Sequence, residues 1–188
     1  LDYHILDMFT FSAHKFGGLI GSGALIKKKK ILLAKLMDGG AQENNLRAGT
    51  VSAPLAITTS YALHKMIKNL DVNLKCVNKL KDGLIEGLKN NPEIVINSKH
   101  DFPYIINFSL KSKKASVLIE ALSNKEIYVS SLSACHAKSN VISTTLLNMG
   151  LDKKLAENSV RVSFSETNTV NEVKIFLKEL NNILGAIR

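Results

Sequence analysis

Asp7-Met8-Phe9-Thr10-Phe11-Ser12-Ala13-His14-Lys15-Phe16-Gly17-Gly18 changes character at its midpoint. Residues 7–12 carry aromatic and apolar side chains between polar ends, the pattern of a short buried strand. Gly17, Gly18, Gly21 and Gly23 then punctuate a loop that feeds a second strand running through Ile26. A lysine where a strand meets a glycine-rich loop can sit in a partly desolvated site. There its amine is a competent Schiff-base nucleophile. Ser12 and His14 add hydrogen-bond donors for an anion, so Lys15 is a candidate catalytic residue. The plainer alternative is a solvated lysine at a strand end. These glycines form neither a P-loop nor a G-x-G-x-x-G fingerprint.

Outward from that stretch, residues 38–50 (DGGAQENNLRAGT) lack apolar periodicity and predict a long loop, a length that tends to be functional. Its end, Arg47-Ala48-Gly49-Thr50, offers a hydroxyl and backbone N–H groups at a helix start, where a phosphate is stabilised. An ordinary N-cap threonine is the competing account. Helical spacing begins at Val51, with Pro54 in the first turn, and resumes through Leu74, Val77, Leu80, Leu84 and Leu88. Cys76, within that run, reads as a small packing residue. Strands are expected at 94–96, 104–108, 127–129 and 160–164, and helices at 117–122 and 141–149, the latter stopped by Gly150. The last helix opens with a capping box, Thr169 and Glu172, and carries the stripe Val173, Phe176, Leu177, Leu180, Leu184 and Ile187. A boundary near Asn69 divides a first part, residues 1–69, from a small α+β domain, residues 70–188.

The chain has 188 residues, 45% hydrophobic and 22% charged, which excludes a disordered or collagen-like chain. With 25 Lys and Arg against 16 Asp and Glu, its net charge is +9. The run Lys27–Lys30 reads as a solvated loop, because no aromatic side chain for base stacking lies between Gly17 and Arg47. No nucleic-acid partner is therefore expected. Two cysteines cannot build a disulfide framework and point to a reducing, cytoplasmic setting. No apolar run reaches the roughly 18 residues of a membrane span. Leu1 is neither an initiator Met nor the start of a signal peptide, so an upstream segment is expected.

Two further segments carry chemistry. Ser130-Ser131-Leu132-Ser133-Ala134-Cys135-His136 follows a strand, and a cysteine in such a small-residue loop can react as a thiolate, aided by His136. An inert thiol is the alternative. Arg161 could present its guanidinium fork to a carboxylate, or serve a surface salt bridge. The histidines and cysteines show no paired ligand spacing, so no metal is expected.

Taken in order, Ser-Ala-His-Lys (12–15), Gly-Gly-x-Gln-Glu with Leu-Arg-x-Gly-Thr (39–50), Ser-Ser-x-Ser-Ala-Cys (130–135) and Arg-x-Ser (161–163) closely resemble the PLP-dependent cysteine desulfurases of the class V aminotransferase superfamily. The resemblance covers essentially the whole chain, but only the C-terminal half of a family member. It implies an α/β architecture: the C-terminal part of a fold-type-I PLP-dependent transferase. Residues 1–69 would be the remnant of the large PLP-binding domain and 70–188 the small domain with the cysteine loop.

By the same resemblance Lys15 binds pyridoxal 5'-phosphate covalently, and Ser12 and His14 hold its phosphate. Thr50 completes the phosphate site across a homodimer, and Arg161 binds the carboxylate of L-cysteine. Cys135 takes the sulfur as a persulfide and alanine leaves. The sulfur would pass to an acceptor or scaffold protein for iron–sulfur cluster assembly or tRNA thiolation. Several positions depart from the family pattern: Leu19-Ile20, Asn44-Asn45, Leu132, His136 and Phe164-Ser165. None removes a reacting group. The family's N-terminal half supplies an aspartate for the pyridine nitrogen, a stacking histidine and another phosphate loop. Without them the 188-residue chain is expected to bind PLP poorly and to be inactive alone. Alternatives are a non-catalytic remnant, a sulfur-accepting or dimerising module, and another class V aminotransferase-like enzyme.

Overall fold

The computed structural model describes residues 5–98, 102–131 and 142–186, and the chain divides into two compact units, residues 1–70 and 71–188. In the first, Phe9 and Phe11 alternate with more exposed neighbours along β1 (Met8–Ser12), which pairs antiparallel with β2 (Gly23–Lys27), Ser12 opposite Gly23. A four-residue 3-10 turn, Ala13–Phe16, follows β1 directly. The lysine run lies in the turn after β2, where Lys28 pairs with Asp7 at 3.1 Å. After the loop, α1 spans Ala53–Lys68 with Pro54 in its first turn, where the missing N–H costs nothing.

The second unit begins with α2 (Leu70–Lys89, its first residue in the first unit), whose apolar positions recur at helical spacing and bury Val77, Leu80, Leu84 and Leu88. Its sheet is antiparallel in the order β3-β4-β5: Ile94–Ile96, Ile105–Leu110 and Ser159–Ser163. Side chains alternate across the central strand β4. Ile106, Phe108 and Leu110 enter the core with α2, α3 (Ala115–Ser123) and α6 (Val170–Ala186). Ile105, Asn107 and Ser109 take the other face. The capping box forms as its spacing predicts: Glu172 N–H donates to Thr169 Oγ1 at 3.2 Å and Thr169 N–H to the Glu172 carboxylate. Two short helices, α4 (Thr144–Asn148) and α5 (Lys153–Glu157), precede β5. The turn after α4 closes at Gly150, φ 85°.

Three expectations change. Residues 127–129 are not a strand; only Ser130 bridges to Arg161. Their β-branched and aromatic side chains suit a sheet, but the backbone finds no ladder until residue 130. The helix expected over 141–149 is shorter, and α5 was not foreseen. Cys76 is exposed rather than packed, one position around α2 from the buried Val77. Its thiol lies 3.9 Å from the Glu166 carbonyl. No helix of the described residues is long and apolar enough to cross a membrane.

Candidate functional site

Ser12, His14 and Lys15 come together on the 3-10 turn after β1. Buried Ala13 anchors it: its N–H donates to the Ser22 carbonyl at 3.0 Å, and its own carbonyl accepts from Gly18 N–H at 2.9 Å. Gly17 closes the turn at φ 88°, a left-handed conformation that suits glycine. At residue 18 a Cβ would come within 2.8 Å of the Ala13 Cβ, so only glycine fits the close approach. Phe11 and Phe16 meet edge to face, ring centroids 5.4 Å apart. The backbone is thereby fixed while His14 and Lys15 stay exposed. Ser12 makes no side-chain bond to the turn it precedes, so its hydroxyl is not used up there.

Thr50 is exposed in the same unit, at the end of the long loop. It is not the helix cap; Ser52 is, through its backbone position alone. The loop is held by Gly49 N–H donating to Gln42 Oε1 at 3.2 Å and Asn45 N–H to the Ala41 carbonyl at 3.2 Å. Glu43, Asn44 and Asn45 all take positive φ, at 52°, 56° and 62°. Asparagine tolerates that region better than most residues, which leaves Glu43 the more strained of the three.

In the second unit, Arg161 of β5 lies directly opposite Asn107 of β4. Both line a cleft of about 250 Å³ with Asn97, Ser98, Ile105, Ser131, Ser143, Thr145, Leu146 and Met149. Arg161 forms no salt bridge among the described residues, and its Nε is buried without an acceptor. Arg161 thus lines a cleft of mixed polar and apolar side chains, its buried Nε without a partner among the described residues. Ser131 and Ser143 flank the segment that carries Cys135. Cys135 and His136 themselves lie outside the described residues, as does His100.

The sequence did not flag Asn97, Asn107 or Ser109 as site residues. The available signal was a polar residue at 107 between the apolar Ile106 and Phe108. Elsewhere, burial first, then the charges of Glu166 and Cys76, push the Tyr104 hydroxyl above its usual pKa. No group of three or more His, Cys, Asp or Glu side chains that could hold a metal occurs among the described residues.

A lysine-bearing glycine turn in one unit and an arginine cleft in the other agree with a family match. Residues 3–176 match the family model described as aminotransferase class-V, and the chain belongs to that family. Within it, the chain is a homologue of the cysteine desulfurase and NifS proteins. It is 33% identical over 181 residues to a NifS/IcsS protein homolog of Lactobacillus delbrueckii subsp. bulgaricus, covering 95% of this chain and 47% of that protein. It is 32% identical over 173 residues to the cysteine desulfurase of Homo sapiens, covering 89% and 37%. A solved NifS-like protein superposes with a TM-score of 0.86 at 31% identity, over 100% of this chain and 48% of that one. The NifS-like protein of Rickettsia africae gives 0.82 at 31%, over 96% and 48%. The fold is thus a partial fold-type-I α/β structure. The chain spans about half the length of the curated relatives it matches.

Proposed function

We propose that the chain is part of a PLP-dependent cysteine desulfurase that converts L-cysteine to L-alanine and leaves the sulfur on Cys135. The observation that carries this is the cleft around Arg161, where a buried, unpaired guanidinium Nε is framed by the two serines flanking the Cys135 segment. Only four peptide steps join Ser131 to Cys135, a tether of at most about 14 Å. The units, 1–70 and 71–188, would be the end of a large cofactor domain and a small substrate domain.

The Ser12–Phe16 turn fits pyridoxal 5'-phosphate in its donor chemistry: a hydroxyl, an imidazole and an amine on one glycine-clamped turn, with both ring and amine exposed. When bound, that cofactor supplies an electron sink for the amino-acid carbon skeleton. Lys15 would hold it and move the proton at the substrate α-carbon. Ser12 Oγ and His14 would bind its phosphate, and Thr50 would reach the equivalent phosphate across a homodimer. Arg161 would fix the L-cysteine carboxylate by charge-assisted hydrogen bonds. The Cys135 thiolate would attack the substrate sulfur, forming an S–S bond as the Cβ–S bond breaks, and the carbon product leaves as alanine. The persulfide would pass to an acceptor or scaffold protein, for iron–sulfur assembly or tRNA thiolation in the cytoplasm.

In the protein that carries this chain, Cys135→Ser should abolish sulfide and alanine release from L-cysteine while retaining the visible absorption band of bound cofactor. Continued release of both would remove Cys135 from the reaction. Lys15→Ala should lose the band itself. Arg161→Ala should raise KM for L-cysteine more than it lowers kcat, through lost carboxylate binding.

A further inference from the structure

Asn97 and Ser109 are buried polar side chains, 3% and 0% exposed, and neither has a role in the chemistry above. Burying such groups is unfavourable unless they are hydrogen-bonded, and the bonds they make have a direction. Ser109 Oγ lies 2.7 Å from the Leu155 backbone carbonyl. A carbonyl can only accept, so the single hydroxyl proton is committed to that bond. Ser109 Oγ must then accept from Asn97, whose Nδ2 is 2.7 Å away. The same Nδ2 donates its other proton to Asn107 Oδ1 at 2.6 Å.

The order Leu155 carbonyl, Ser109, Asn97, Asn107 therefore fixes both amides. Turning Asn97 over would place its oxygen against a serine oxygen with no proton between them. Turning Asn107 over would set NH2 against NH2. With its oxygen held by Asn97, the Asn107 NH2 group is left for another acceptor, and Asn107 lines the cleft with Arg161. No acceptor for that NH2 occurs among the described residues. Cross-strand partners in an antiparallel pair present their side chains on one face, and Asn107 and Arg161 are such partners. Asn107 and Arg161, with its unpaired Nε, thus stand on one face of the sheet.

We propose that Asn107 is a binding residue for the substrate carboxylate, donating from Nδ2 alongside the Arg161 guanidinium. The inference rests on the reading of Arg161 as the carboxylate anchor. A carboxylate offers lone pairs enough for both donors. Recognition by this pair selects amino acids over thiols that lack the carboxylate. Asn107→Asp removes the donor and keeps the fold of the relay. One carboxylate oxygen would still accept from Asn97, so the buried relay survives. The other would replace the NH2 donor, pair with Arg161 and repel an incoming carboxylate.

The test is a titration of the isotope-labelled protein that carries this chain, with Cys135→Ser to stop turnover, with L-cysteine, and with cysteamine as the carboxylate-free control, followed by NMR at Asn107 Nδ2–H2 and Arg161 Nε–H. Both signals should move with L-cysteine and stay in place with cysteamine. Asn107→Asp, with its signal dispersion intact, should bind L-cysteine at least about tenfold more weakly. Movement of Arg161 alone, or unchanged affinity in Asn107→Asp, would overturn the Asn107 assignment and leave the Arg161 anchor standing. Silence at both positions would overturn the two together. Equal movement with cysteamine would show that the cleft does not read the carboxylate, which also overturns the proposal.

Discussion

Leu118 in the second unit is fully buried, while Leu32 in the first, the same side chain, is 94% exposed. The contrast is general. Among the described residues of the first unit, only Ala13, Ala48 and Ala62 are buried apolar residues; Ile20, Leu36, Ile57 and Tyr61 are each more than two-thirds exposed. The second unit closes a core of Leu80, Phe108, Leu122, Val160 and Leu180 between its helices and one sheet face. A closed core stabilises a unit through the area it removes from water, at roughly 25 cal/mol per Å². By that measure the second unit is self-sufficient, and the first holds its lysine turn by local hydrogen bonds and glycine geometry.

The largest expected effect comes from separating the units. Residues 71–188 expressed alone should unfold cooperatively in urea, and residues 1–70 alone should show no cooperative transition by circular dichroism. A cooperative transition in the shorter piece would erase the contrast. Next, Leu118→Ala should cost about 3 kcal/mol of stability in the whole chain, through lost burial and the cavity left behind. Leu32→Ala should change it by no more than about 0.5 kcal/mol. Equal costs in urea melts would mean that the exposed leucine is covered in solution.

Smaller effects sharpen the picture of the second unit. Thr169→Ala removes the cap of α6, whose apolar stripe closes the core, and should cost about 1 kcal/mol. The smallest effect depends on pH. Burial pushes the Glu93 carboxyl up, but the Ser112 and Lys113 backbone N–H groups and the Ser112 hydroxyl outweigh it and hold it below its ordinary 4.5. The carboxylate accepts from those N–H groups at 2.6 and 2.9 Å. A lowered pKa in the folded state means stability present above the ordinary value and lost as pH falls through the lowered one. Glu93→Gln should be less stable than the parent at neutral pH, and the two should converge in acid. Parallel melting curves at pH 7 and pH 3 would show that the carboxylate does not matter.

Much of the molecule was legible where neighbours in sequence are also partners in space. Thr169 and Glu172 stand three residues apart, and that spacing alone places their mutual hydrogen bonds. Ser12, His14 and Lys15 are consecutive, so a strand followed by glycines already gathers them. Misreadings arose where the deciding contact is distant. Residues 127–129 have the composition of a strand, yet strand formation needs a partner backbone. Cys76 follows the spacing of its helix, yet a rotation of one residue separates the buried face from the exposed one.

The sequence by itself determined most of the strand and helix segments, the capping box of the last helix, the glycine turn that presents Lys15, and the ordered motifs that mark the family. Hydrogen bonds and side-chain periods spanning a few residues are enough to set these. Only the tertiary structure set Asn107 opposite Arg161, fifty-four positions along the chain. Only it brought the Leu155 carbonyl to Ser109 and so gave the buried amides their direction. Register between strands is decided by which faces share a core, and a hydrogen bond's polarity by which atom has a proton to give. Neither is written in any one segment.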